Sequence, residues 1–274
     1  MDWVRGRCEA NGTELGYLRT GGDKPPVVLL HGLTGSGACW TPVARALQDD
    51  FDVVMPDARG HGTSGASAGG YRYDDLAADA VGLIDALGLG APVFVGHSMG
   101  GMTAAVVARR NPRRLRALVL VDPTFLSPPR QREVFESDVA AEHRRVLEQS
   151  REALRSDLRR RHAHRSPEML DLLVEARFQT DVRAFEILAP PNPDYRELVE
   201  ALAAPGLLVV GDAGAVVTRE VASELAQINP SLRVEEVAGA GHGLPYDQPE
   251  RLAAAVRDFL NELHRVARSD GARG

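Results

Sequence analysis

The constraint that narrows this chain most is a set of short β-rich runs, most of them apolar at consecutive positions rather than at alternate ones. They are residues 26–30 (PVVLL), 51–55 (FDVVM), 92–96 (PVFVG), 116–121 (RALVLV), 206–210 (GLLVV) and 232–237 (LRVEEV). A strand apolar on both of its faces must be covered on both, which is the condition of a parallel sheet between two layers of helices. The intervening stretches 73–87, 99–110, 219–228 and 249–266 read as helices, the last with Pro249 suited to a first turn. The expected fold class is therefore α/β, a mostly parallel central sheet with helices on both faces. Ahead of the first run, Asn11-Gly12 reads as a hairpin turn between two short strands.

The strand–helix rhythm breaks after Val121. A segment this long between sheet strands must carry structure of its own, and "REVFESDVAAEHRRVLEQSREALRSDLRRRHAHRS" has the charge-rich pattern of several amphipathic helices. Residues 123–200 are read as a helical cap insertion, with 1–122 and 201–274 forming the core. Within the cap, "RRRHAHR" (159–165) lies near Glu152, Asp157 and Glu168 and is read as a solvated helix face. The tail "ARSDGARG" is expected to fray.

A net charge of −6 offers no basic field for nucleic acid or an anionic membrane, and no apolar run reaches membrane-spanning length. The expectation is a cytoplasmic protein with reduced Cys8 and Cys39, acting on a small molecule, with homodimerisation through the cap left open.

Chemistry enters at Gly96-His97-Ser98-Met99-Gly100, a G-x-S-x-G pattern between an expected strand and an expected helix. Glycines let the chain turn sharply there, so that the serine stands at the carboxyl edge of the sheet over a helix N-terminus. The plain alternative is a serine that only caps the helix. Two further stretches weigh against it. His31-Gly32 opens a loop able to aim a backbone N–H at a developing oxyanion, and His242 lies in a glycine-rich loop after the last strand.

The stretches "HGLTGSGACW", "DARGHGTSG", "GHSMGG" and "GHGLPYDQPE", in this order across nearly the whole chain, resemble the α/β-hydrolase fold superfamily. The resemblance implies Ser98 as nucleophile, His242 as general base, and the N–H groups of Leu33 and Met99 as an oxyanion hole. His31 and Gly32 would shape the oxyanion loop, and His97 and His61 would serve packing and loop structure. Trp40 would be either a pocket wall or a core residue. Neither metal nor cofactor is needed for such chemistry.

The superfamily's usual acid follows the penultimate strand, but the stretch here reads Gly211-Asp212-Ala213-Gly214, with glycine where aspartate is expected. A histidine base still needs a carboxylate on its second nitrogen. Asp122, at the tip of the strand after the nucleophile helix, is preferred because catalytic groups gather at carboxyl ends of strands; Asp212 is the alternative. An acid at that strand end, followed by a helical insertion, is similar to the arrangement in fungal zearalenone lactonases, although the cap sequence shares no clear match with theirs. The expected activity is hydrolysis of an apolar carboxylic ester or lactone, with Phe135, Phe178 and Phe185 setting substrate choice from the cap. Carbon–carbon bond hydrolases, cofactor-free haloperoxidases and non-catalytic receptors on the same scaffold stay open as alternatives, whereas epoxide hydrolases and haloalkane dehalogenases of this fold use an aspartate nucleophile.

Overall fold

The structure is a computed structural model describing residues 3–271. An antiparallel hairpin comes first, β1 (Val4–Ala10) and β2 (Thr13–Arg19). Its two-residue turn has Asn11 and Gly12 at φ 50° and 71°, the doubly left-handed geometry that matches strand twist and favours Asn-Gly. The parallel strands are β3 (Pro26–Leu30), β4 (Asp52–Pro56), β5 (Val93–His97), β6 (Ala117–Val121), β7 (Gly206–Gly211) and β8 (Leu232–Val237). Together they form one eight-stranded sheet in the order β1-β2-β4-β3-β5-β6-β7-β8, with β2 meeting β4 antiparallel.

The continuous apolar runs sort by parity into two layers. Val28, Leu30, Phe94, Leu118, Leu120 and Leu208 face one core, while Val27, Leu29, Val95, Val119, Val121 and Val209 face the other. The first layer is covered by α2 (Tyr73–Leu87), α3 (Met99–Arg110) and α9 (Arg219–Ile228), the second by α1 (Thr41–Leu47) and α11 (Pro249–Gly271). Trp40 belongs to this second layer, among Val43, Leu47 and Phe51, and is 2% exposed. Of the two places open to it from sequence, the core is the one it occupies. Helix α11 continues to Gly271, so the expected frayed tail is helical up to that residue, and 272–274 lie outside the described residues.

Between β6 and β7 the chain forms α4 (Pro128–Glu136), α5 (Val139–Leu147), α6 (Arg151–Arg161), α7 (Pro167–Phe178) and α8 (Tyr195–Glu200). The last of these packs against α3 and α9, where Tyr195 stacks on Phe125 at 5.2 Å between ring centroids. A short helix, α10 (Leu244–Asp247), precedes α11.

Candidate active site

The chain leaves β3 toward β4 on one side and leaves β5 toward β6 on the other. The loops after β3 and β5 therefore part, and in an open α/β sheet the crevice outside such a switch point is where ligands bind. Ser98 follows β5 directly. Its backbone stands at φ 53° and ψ −116°, a strained conformation for a residue with a Cβ. The turn depends on Gly96 and Gly100, since a Cβ at Gly96 would lie 2.3 Å from the Gly100 carbonyl oxygen and one at Gly100 would lie 2.2 Å from that of Leu30.

In the β5–β6 register His97 pairs with Val121, so the next residues, Ser98 and Asp122, occupy equivalent positions at neighbouring strand tips. Asp122 also leaves its strand with positive φ, 38°. His242 bridges the two. Its Nδ1 lies 2.6 Å from Asp122 Oδ2 and its Nε2 lies 3.0 Å from Ser98 Oγ. With Nδ1–H donating to the carboxylate, Nε2 is left to accept the serine proton.

Asp122 is fully buried and accepts two more hydrogen bonds, from the backbone N–H groups of Val216 at 2.9 Å and Val217 at 2.8 Å. The loop after β7, which holds glycine where the usual acid would stand, thus supplies the amides that fix a carboxylate on the neighbouring strand. Asp212 is turned elsewhere and accepts from the Gly239 N–H at 3.0 Å. Asp247 lies in an ion pair with Arg165 at 2.7 Å and a hydrogen bond with His164 at 2.8 Å. Burial works to raise the Asp247 pKa, but these partners outweigh it and hold the carboxyl below its usual range.

Sequence reasoning did not single out Thr124, which brings its hydroxyl to 3.3 Å from Ser98 Oγ and its N–H to 3.1 Å from the Ser98 carbonyl oxygen. The Tyr73 hydroxyl, kept protonated by a pKa that burial raises, hydrogen-bonds Thr124 in turn. The signal lay in "DPT", which places Thr124 two residues after Asp122.

In the loop after β3, His31 donates from Nδ1 to the Gly32 carbonyl at 2.8 Å and accepts on Nε2 from the Ala58 N–H at 2.9 Å. Burial first, and the neighbouring His61 second, push its pKa down to about 3, so it stays neutral and keeps that tautomer. His61 touches the carbonyl oxygens of Arg59 and Leu33, which ties the "RGHGTSG" loop to the loop after β3. Gly32 keeps this approach open: a Cβ there would crowd His97 Nδ1 at 3.1 Å and the Ser98 Cβ at 3.2 Å. Met99 opens α3, so its N–H is among those without an intrahelical acceptor.

Above the strand tips lies a cavity of about 360 Å³ reached by Ser98, His242, Gly32 and Leu33. Its apolar wall comes from Val146, Leu154, Leu158 and Leu173 on α5, α6 and α7. The expected phenylalanines are elsewhere: Phe135 is 51% exposed, Phe178 carries the Arg151 guanidinium, and Phe185 is buried against His143. Helical periodicity marks which side of a helix is apolar without marking which neighbour it meets. The reading of 159–165 as a solvated face holds for Arg159, Arg160, Arg161 and His164, which are exposed, whereas Arg165 turns inward to Asp247 and lines this cavity with His162, Arg161 standing at its rim.

Among the described residues no group of three His, Cys, Asp or Glu side chains is placed to hold a metal ion, and no helix is long and apolar enough to cross a membrane. A family model described as the alpha/beta hydrolase fold matches residues 25–249. The chain is 32% identical to N-formylmaleamate deformylase of Pseudomonas putida, over 93% of this chain and 96% of that protein. It resembles the solved structure of an enol-lactonase from Burkholderia xenovorans, with 28% identity, a TM-score of 0.75, and coverage of 93% of this chain and 100% of that one. A thermophilic esterase from Thermogutta terrifontis is similar at 29% identity and a TM-score of 0.75, covering 96% of this chain and 100% of that one.

Proposed function

The chain belongs to the α/β-hydrolase family, and from that membership we propose that it is a serine hydrolase that cleaves a carboxylic ester or lactone through an acyl-enzyme intermediate. The observation that carries this reading is the single line of hydrogen bonds from Ser98 Oγ through the two nitrogens of His242 to Asp122. The N-formylmaleamate deformylase, the enol-lactonase and the esterase all have names that denote cleavage of an acyl bond, which supports the reaction class and leaves the leaving group open.

The Ser98 oxygen attacks the substrate carbonyl while its proton passes to His242 Nε2, and the imidazolium so formed faces the Asp122 carboxylate. The Leu33 and Met99 N–H groups hold the carbonyl oxygen as it becomes an alkoxide, a contribution of typically 10²–10³ in rate for each donor. Collapse of the tetrahedral intermediate breaks the bond to the leaving group, which takes the proton back from His242. Water then repeats the sequence on the acyl-enzyme, returning Ser98 and releasing the carboxylic acid. The segment 123–200 acts as a cap that closes over this chemistry and excludes bulk water.

A serine-directed fluorophosphonate and a panel of aryl esters and lactones test the proposal. Rapid labelling confined to Ser98, with turnover of at least one ester or lactone, is the expected result. An unlabelled Ser98 in folded protein would instead favour a receptor on a hydrolase scaffold.

A further inference from the structure

The cap side of the Ser98 cavity is not the apolar enclosure that a plain ester needs. Arg161, Arg165 and Arg177 line it together, with Glu142 as the carboxylate of the same wall. Two of these arginines are spoken for, since Arg161 pairs with Asp157 and Arg165 with Asp247. Arg177, in the last turn of α7, is not. Its Nε is buried without a hydrogen-bond partner, and no ion pair to it exists among the described residues. Glu142 reaches it only through its field, which the nearby Arg161 opposes.

A guanidinium stays charged at any ordinary pH, so half-burying it with its Nε unpartnered and no anion beside it costs free energy that an anionic partner would return. Surface arginines escape this by turning their heads to water, but a buried Nε cannot. Burial is also what lowers the Arg177 pKa. Its planar fork suits a carboxylate, which it can meet with two parallel hydrogen bonds.

We propose that the substrate is itself an anion, a short acyl compound carrying a free carboxylate beyond the bond to be cleaved, and that Arg177 receives this carboxylate while Ser98 attacks the distal carbonyl. The inference rests on the hydrolase reading above and names its substrate class: half-esters or half-amides of short dicarboxylic acids. Val146, Leu154, Leu158 and Leu173 flank the short carbon chain between the two ends. Glu142 opposes an anion in this cavity, and of the three arginines that attract one, Arg177 is the one whose charge no ion pair among the described residues offsets.

The test compares p-nitrophenyl hydrogen succinate with its neutral methyl ester, two substrates of nearly the same shape. The full-length protein should prefer the anion by at least tenfold in kcat/KM, with the preference shrinking as sodium chloride is added. In Arg177→Met the anion-to-neutral ratio should fall by roughly 10- to 100-fold, the range of a charged hydrogen bond, chiefly through KM. Arg177→Lys, which keeps the charge and loses the fork, should retain part of the ratio.

A wild-type ratio of one or less, or an unchanged ratio in a folded Arg177→Met, overturns the inference. Should that variant not fold, the wild-type ratio and its salt dependence decide. If Ser98 labels with fluorophosphonate and the neutral ester turns over without preference, the inference alone fails; if Ser98 does not label, the hydrolase reading fails with it. Where Ser98 labels but neither ester turns over, stronger protection by monomethyl succinate than by dimethyl succinate supports the inference, and equal protection overturns it.

Discussion

His97 Nε2 donates a hydrogen bond to the backbone carbonyl oxygen of His242 at 2.7 Å, so the residue before Ser98 holds the loop that carries His242. Burial first, and the ring of His242 second, push the His97 pKa down to about 3, which keeps it neutral. Its Nδ1 is buried without a partner, consistent with the proton residing on Nε2. His97→Ala removes this tie, and a lost buried hydrogen bond of about 1–3 kcal/mol should appear as a drop of roughly 10- to 100-fold in kcat with little change in KM. An unchanged kcat on an aryl ester would show that the loop holds His242 without His97.

Asp122→Asn is expected to lower kcat by about 10⁴, the effect of the equivalent change in a serine protease. The variant should also lose stability, because the Val216 and Val217 N–H groups each donate to a different Asp122 oxygen and the amide nitrogen that replaces one of these cannot accept. Asp212→Asn, on the Gly239 side, should leave turnover within a few-fold. Steady-state kinetics beside urea titrations separate the two effects, and a crippled Asp212→Asn with an active Asp122→Asn would reverse the assignment.

Strain at Ser98 gives a prediction that pairs gain with loss. A side chain at φ 53° and ψ −116° costs of order 1–3 kcal/mol, which glycine relieves at an entropic cost of about 0.5–1 kcal/mol. Ser98→Gly should be more stable than the parent by about 1 kcal/mol and inactive. Ser98→Ala, which keeps the Cβ, should be inactive with stability unchanged. Chemical denaturation of all three proteins checks this, and a glycine variant less stable than the alanine one would argue that the turn is unstrained.

Acid should destabilise the protein before its carboxylates titrate. His31 and His97 are held near pKa 3 in the fold, against about 6.5 in an unfolded chain. Above pH 6.5 both states are deprotonated and the full stability is present. As pH falls from 6.5 toward 3 the unfolded chain alone takes up protons, and each histidine then withdraws about 1.4 kcal/mol per pH unit. Stability should drop by roughly 4 kcal/mol between pH 7 and pH 5. His97→Ala should remove about half of that slope, and a flat profile in the parent would mean that these imidazoles take up protons within the fold.

Much of the fold is legible because its rules are local or nearly so. The parity of apolar residues in 26–30 and 116–121 requires two covered faces, and helices α2, α3 and α9 begin and end where the pattern places them. Ser98 is legible for the same reason, since its turn is made by glycines two positions to either side. Asp122 and Asp212 could be ranked by their place on strands, but the amides of Val216 and Val217 that hold one of them come from a loop distant in the chain. The segment 123–200 is the least legible part. Whether Arg165 meets water or a cavity depends on how α6 and α7 fold back over the sheet, and no spacing within "RRRHAHR" carries that information.

The alignment of β5 with β6 sets the distance between Ser98 and Asp122, because each is the first residue beyond its strand. A slip of a single position would carry Asp122 about 3.3 Å along the sheet, past the reach of an imidazole that must touch both. Turnover is therefore a yardstick of correct strand pairing. During refolding it should return only with the last, fully registered fraction, lagging behind any signal that reports helix content or collapse.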